Sequence, residues 1–178
     1  MEWSMDVQTM IWLFPVVFIL HDFEEIIMLE SWIAKEGEKV SKILPNKISN
    51  RVMRQFTMTT AQMAVAVLVI FLFVSSATFM ASQYVTNGPL GNIYFFTVLL
   101  LIFFIHVFTH VGQSILFRSI TPGVVTSVLF VFPYSLLMLT SLLSSQLINW
   151  NTIWVTLPFA FLAIPVLLAA HWIGKKLI

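Results

Sequence analysis

Long apolar stretches separated by short polar segments set the pattern of this chain. Five of these stretches are long enough to cross a bilayer as helices, at about 7–30, 56–81, 93–117, 122–145 and 150–174. A spanning helix needs about 20 residues, so the pattern predicts an all-α, polytopic transmembrane helical bundle. We expect residues 1–178 to form one transmembrane domain.

The first stretch reaches spanning length only with polar residues inside it. Its apolar run, Met10–Leu20, holds eleven residues, and His21-Asp22-Phe23-Glu24-Glu25 follows directly. The alternative is a short interfacial helix that ends at Leu20 and leaves four spans. Glu2 and Asp6 stand where a signal peptide would carry Lys or Arg, so we expect the run to be retained.

Polar and turn residues mark the remaining boundaries. In residues 31–55, apolar residues are interleaved with lysines, which predicts a cytoplasmic amphipathic connector. Pro45-Asn46 is expected to break it. The alternative is a connector that is simply solvated. Thr121-Pro122 is predicted to cap and begin the fourth span, and Asn149 or Asn151 the fifth. Pro133 is expected to disturb the fourth helix.

Composition and charge narrow the class of protein. Of the 178 residues 59% are hydrophobic and only 10% charged, against about a quarter charged in soluble domains. We therefore expect an integral membrane protein, in a prokaryotic cytoplasmic membrane. The basic stretch is short and mixed with acids, which argues against nucleic-acid binding. Cysteine is absent, so any metal would need nitrogen and oxygen ligands.

The distribution of positive charge predicts the orientation. With five spans, all nine Lys and Arg residues fall on one side: six in the loop after the first span, Arg118 after the third, and Lys175 and Lys176 at the end. By the positive-inside rule, the N-terminus is outside and the C-terminus inside.

The main candidate site lies at the deep end of the first apolar run. On a helix, His21 and Glu25 project about 40° apart, and Glu24 lies about 60° to the other side of His21. An acid near a bilayer centre costs about 2.5–3.5 kcal/mol on the insertion scale, so these carboxylates need compensation. A divalent metal ion is the candidate, with zinc favoured and iron or manganese as alternatives.

A second polar pair lies at matching depth. His106 and His110, at i and i+4, put two imidazoles on one helix face, a spacing used by helical metal sites. At about 1.5 Å per residue, His21 and His106 each lie ~20 Å below the outer ends of their helices, in the cytoplasmic half of the bilayer. Taken alone, this pair has an alternative interpretation to metal binding: two buried histidines that hydrogen-bond to helix carbonyls or to Thr109.

These positions predict a shared site with distinct roles. We expect His21, Glu25, His106 and His110 to bind the metal, and Glu24 to act as general base. Three further residues could support the ligands or add one: Gln113, Gln62 and His171. For His171, an interfacial position beside Lys175 is the alternative.

His21-x-x-Glu24-Glu25 in a small polytopic protein resembles the family named for its HXXEE motif, whose function is unassigned. The resemblance implies a membrane protein with a metal site and supplies no substrate. The paired acids are also similar to the Glu-Glu motif of intramembrane CAAX-type proteases. That family's later arginine is missing, since Met28 and Leu29 stand in that region.

Three functions are compatible with these residues. The first is a zinc hydrolase acting on a lipid, a lipid-linked or another small molecule that enters between helices. A di-iron membrane oxidase uses the same ligands. A proton- or cation-coupled carrier would use the carboxylates directly, and a homo-oligomer could replace the internal repeat that this chain lacks.

Overall fold

The computed structural model describes residues 6–43, 45 and 57–178, and throughout these residues the regular structure is helical. Four helices are long and apolar enough to cross a membrane, which identifies an integral membrane protein. In chain order, the five helices are α1 (Val7–Ile43), α2 (Thr60–Val85), α3 (Ile93–Phe117), α4 (Val124–Ser144) and α5 (Trp150–Leu177).

Helix α1 is not one of these four, although it holds the predicted first span. Its 37 residues would extend about 55 Å at 1.5 Å per residue, well beyond the ~30 Å hydrocarbon core. Only its first half is apolar. The predicted all-α membrane protein is thus confirmed, with four candidate spans in the described part of the chain, and the fifth span stays a prediction.

The second half of α1 includes the beginning of the predicted connector. Residues 31–43 were predicted to belong to an amphipathic connector that follows the first span, and in the structure α1 continues without a break to Ile43. No proline lies between Ser31 and Pro45 to interrupt the helix. Trp32 Nε1 donates to Ser119 Oγ at 3.3 Å, and Lys39 Nζ donates to the Arg118 carbonyl at 3.3 Å. This half of α1 therefore lies against the α3–α4 connection.

The rest of the predicted connector, including Asn46 and Gln55, lies outside the described residues.

Helix α4 begins later than the sequence predicts. Thr121 was expected to cap it, but the cap is Gly123, with φ +82°, and the helix starts at Val124. The Thr121 hydroxyl is instead engaged by Ser114 Oγ at 2.6 Å, across the α3–α4 connection. The expected disturbance at Pro133 takes the form of a π-helical turn over Ser127–Val131, since proline offers no N–H to the preceding turn.

Helix α5 has a regular start and an irregular middle. Asn149 is its N-cap: its side chain accepts from Thr152 N, and the Thr152 side chain bonds back to the Asn149 N–H. Pro158 lies in a 3₁₀ stretch over Leu157–Leu162.

The outer half of α1 has one buried and one exposed apolar face. On the buried face, the Phe14 ring packs edge-on against Phe96 and Phe103 of α3 and stacks on Tyr134 of α4. The exposed face carries a stripe of large apolar side chains at helical spacing, namely Trp12, Val16, Leu20, Phe23 and Ile27. The buried face continues into His21, so packing of α1 on α3 and α4 positions the candidate site.

Candidate metal centre

Two helices each supply a pair of residues to one polar group. On α1, His21 Nε2 lies 3.7 Å from Glu25 Oε1, because i and i+4 share a helix face. On α3, the Nε2 atoms of His106 and His110 lie 2.7 Å apart. Glu25 Oε1 joins the pairs, at 3.5 Å from His106 Nε2 and 2.9 Å from His110 Nε2.

These four side chains could hold a metal ion. One ligand atom from each of His21, Glu25, His106 and His110 lies within 4.8 Å of the others. Four ligands at about 2.0–2.1 Å from a tetrahedral ion lie roughly 3.3 Å from each other. The separations run from 2.7 Å to at most 4.8 Å, so binding would change the distances between ligand atoms by up to about 1.5 Å. The donor set of three imidazoles and one carboxylate suits zinc, iron and manganese alike.

Thr126 of α4 binds the outward-facing nitrogen of His21. Its Oγ1 lies 3.0 Å from His21 Nδ1 and 2.5 Å from Glu24 Oε2. The opposite ring nitrogen, His21 Nε2, is buried and has no hydrogen-bond partner among the described residues. This nitrogen therefore points into the group of four.

His106 has a similar arrangement on α3. The Thr109 hydroxyl donates to the His106 carbonyl at 2.6 Å, and the same oxygen lies 3.3 Å from His106 Nδ1. Its Nε2 faces Glu25 and His110. Both histidines thus contact a threonine hydroxyl with one nitrogen and the group of four with the other.

His110 is held differently. Its backbone carbonyl accepts from Thr121 Oγ1 at 3.4 Å, and its Nδ1 is buried without a hydrogen-bond partner in the described part of the chain.

Gly123 closes one side of the group. A Cβ at this position would come within 2.7 Å of His110 Cε1, 2.9 Å of His21 Cε1 and 3.0 Å of Glu25 Cγ. Any larger residue would meet three of the four candidate ligands. Since φ is +82°, the backbone conformation also favours glycine.

The group is open on the side of His106. The His21 and His110 side chains are almost fully buried, whereas 40% of the His106 side chain is exposed. His106 lies in α3, one of the four candidate membrane spans. The accessible edge of the group therefore lies on a helix that is apolar enough to cross a membrane.

Glu24, the predicted base, lies outside the group and binds the start of α4. Its Oε1 accepts from Val125 N at 3.2 Å, and its Oε2 accepts from Thr126 N at 2.7 Å and from Thr126 Oγ1. A carboxylate at a helix N-terminus is favourably placed, because the first N–H groups lack partners within the helix. No observation tests whether Glu24 also accepts a proton from substrate, so that role stays a prediction.

The three supporting residues predicted from the sequence are also outside the group of four. Gln62 forms the capping box of α2, accepting from Thr59 N at 3.1 Å while its own N–H donates to Thr59 Oγ1. Gln113 is half-buried on α3, and His171 is buried on α5. Their predicted support of the ligands remains untested.

Three contributors to the site were missed at the sequence level: Thr126, Thr109 and Gly123. Thr109 follows His106 by three residues, so helical spacing was an available signal. The dipeptide Pro122-Gly123 marks a turn but does not indicate what packs on it. Thr126 is separated from His21 by 105 positions, and only tertiary structure joins them.

A family model described as "Protein of unknown function with HXXEE motif" matches residues 12–138, which include the motif and all four residues of the group. No curated protein and no solved structure matches the chain.

Proposed function

We propose that this chain, which belongs to the family of proteins of unknown function with an HXXEE motif, is a metal-dependent membrane enzyme. The observation that carries the proposal is the convergence of His21, Glu25, His106 and His110, with the accessible edge at His106. We propose a zinc hydrolase whose substrate is a lipid or a lipid-linked molecule.

The position of the open edge supports a lipophilic substrate. His106 lies in α3, a candidate membrane span, so a substrate that approaches from the bilayer would reach its exposed side chain directly. A water-soluble substrate would have to leave solvent to reach the same edge. The reaction would add water across one substrate bond, the hydroxyl going to the attacked atom and the proton to the leaving group.

Bound zinc would lower the pKa of a coordinated water to about 7. The three histidines and Glu25 would hold the ion, and the water would bind as an additional ligand at the open edge beside His106. Glu24 is the proposed base, and it would have to release at least one of its present donors to take a proton. Glu25 is the alternative base, because its carboxylate lies within the group itself.

We further propose that α1 is a fifth span, with the N-terminus outside and the C-terminus inside. The stripe from Trp12 to Ile27 supports this, since a helix that crosses beside other helices needs one lipid-facing apolar side. Residues His21 and His106 would then lie in the cytoplasmic half of the bilayer.

One observation disfavours the di-iron alternative. Two-metal carboxylate sites in helical bundles use glutamates from several helices, whereas Glu25 is the one carboxylate in the group found among the described residues. We therefore propose a single ion.

The proposed activity can be tested with zinc-loaded protein in vesicles of a mixed lipid extract, in ¹⁸O-labelled water. With the wild type, we expect mass spectrometry to detect the label in a cleavage product. With His110→Gln, which removes one of the four proposed ligands, we expect no labelled product. Gly112→Ala, on the same helix but outside the group, is the matched control, because a Cβ there meets nothing within 4 Å. Equal product from His110→Gln, or none from zinc-loaded wild type, would rule out the hydrolase.

A further inference from the structure

We propose that Thr126 is a positioning residue: its hydroxyl, oriented by Glu24, holds His21 in the tautomer that turns the Nε2 lone pair towards the metal. The purpose of this arrangement rests on the metal-binding function proposed above. The tautomer itself is a property of the metal-free protein. The two ideas can therefore fail separately.

The assignment follows from the acceptor to which the Thr126 hydroxyl donates its proton. The Thr126 hydroxyl has one proton and three neighbours: Glu24 Oε2 at 2.5 Å, His21 Nδ1 at 3.0 Å and the Gly123 carbonyl at 3.4 Å. Both carboxyl oxygens of Glu24 already accept from backbone N–H groups, Oε1 from Val125 and Oε2 from Thr126, and Oε2 is also the shortest contact of the Thr126 hydroxyl. The proton of Thr126 therefore goes to Glu24.

The tautomer of His21 then follows. With its proton committed to Glu24, Thr126 Oγ1 can offer His21 only a lone pair, so Nδ1 must carry the ring proton. In the neutral ring this leaves Nε2 as the unprotonated atom. That nitrogen is buried, lacks a hydrogen-bond partner and faces Glu25 Oε1 at 3.7 Å. Metal-binding histidines usually donate their other ring N–H to a neighbouring acceptor, and His21 has this arrangement through Thr126.

Thr109 provides an internal comparison. It contacts His106 Nδ1 at 3.3 Å, and its own proton goes to a neutral backbone carbonyl of the same helix. Thr126, in contrast, is backed by a carboxylate and joins two helices, α1 and α4. We therefore expect loss of the Thr126 hydroxyl to have the larger effect.

The first test reads the tautomers directly. The chain has four histidines, so ¹⁵N NMR of histidine-labelled, metal-free protein gives few ring signals, which single substitutions can assign. At a pH where His21 is neutral, we expect the Nδ1–H tautomer in wild type and in Thr126→Ser. Thr126→Val keeps the shape but removes the oxygen, and should shift His21 towards Nε2–H. An Nε2–H ring in wild type would overturn the proposal, whether or not the valine variant folds.

The second test measures zinc affinity of the same proteins with a competing chelator. Loss of an outer partner of a ligating histidine typically weakens metal binding 10–100-fold. We expect Thr126→Val to fall in that range, Thr109→Val to lose less, and Thr126→Ser to stay close to wild type. Equal losses for serine and valine would indicate a packing role and overturn the assignment.

The outcomes also separate this proposal from the metal-binding function. An Nδ1–H His21 that responds to Thr126→Val, in a protein that binds no zinc, iron or manganese, would support the positioning role and reject the metal site. A protein that binds metal, but whose His21 tautomer does not change in Thr126→Val, would support the metal site and reject the positioning role.

Discussion

At the residue scale, the site depends on Glu25. Its Oε1 lies within 3.7 Å of a ring nitrogen of all three histidines, so one carboxylate joins side chains from α1 and α3. Glu25 is the one carboxylate of the group among the described residues, so its loss would leave three closely packed imidazoles without an anionic partner. We therefore expect that removal of any one of the four side chains weakens metal binding by the other three.

The close approach of Gly123 gives a prediction at the same scale. Gly123→Ala should weaken zinc binding and lower the melting temperature. The new Cβ would meet His21, His110 and Glu25, and a non-glycine residue with positive φ costs about 1–2 kcal/mol. Gly112→Ala is the matched control, because a Cβ there meets nothing within 4 Å and alanine favours the helix. Similar behaviour of the two variants, measured by chelator competition and thermal melting, would contradict the proposed packing.

The residues of the site could be predicted from the sequence only where helical spacing brings them together. The pairs His21–Glu25 and His106–His110 are both i and i+4, so each was visible as a unit. The engagement of Glu24 by α4 was not, because its partners lie more than a hundred positions away and carry no pattern of their own. Helical spacing alone places Glu24 beside the site and does not indicate its hydrogen bonds to α4.

At the element scale, α1 combines two roles in one helix. Its first half packs Phe14 into the bundle and exposes the stripe from Trp12 to Ile27, and its second half contacts the α3–α4 connection. Glu30 adds a further contact, accepting from Thr60 N and Oγ1 at the start of α2. Together, Glu24 and Glu30 of α1 bind the first turns of α4 and α2.

The crossing of α1 can be tested at its two ends. Since the chain has no cysteine, single substitutions can be labelled without background. In intact cells we expect a membrane-impermeant maleimide to label Asp6→Cys, and to label Lys39→Cys only after permeabilisation. Asp6 directly precedes α1 and is exposed, and 43% of the Lys39 side chain, on the second half of α1, is exposed. Labelling of both from the same side would show that α1 lies on the membrane and does not cross it.

Helix boundaries were predictable where a cap residue or a clear change in polarity marks them. Helix α3 has the predicted bounds, Ile93–Phe117, between an Asn92 cap and Arg118 in the left-handed conformation. The end of α1 was not predictable from polarity, because residues 31–43 are polar yet still favour a helix. The start of α4 shifted because Ser114 engages Thr121, a tertiary contact that a local motif does not report.

At the scale of the whole molecule, polar groups are concentrated where α1, α3 and the start of α4 meet. Distances, burial and hydrogen bonds agree that His21, Glu25, His106 and His110 form one group with a single open edge. The apolar exterior of α2 to α5 suits a lipid environment. The composition was sufficient to predict a helical membrane protein, whereas the network around the group required the packed structure.

The most direct test of the central claim is the metal content of the purified protein. After incubation with zinc, iron(II) or manganese(II) and removal of free ions, elemental analysis of the wild type should give about one ion per chain. His21→Gln and Glu25→Gln should each lose most of it, since each removes one of four ligands, whereas Gly112→Ala should retain it. Wild-type protein that stays metal-free with all three ions, or variants that bind as much as wild type, would contradict the account.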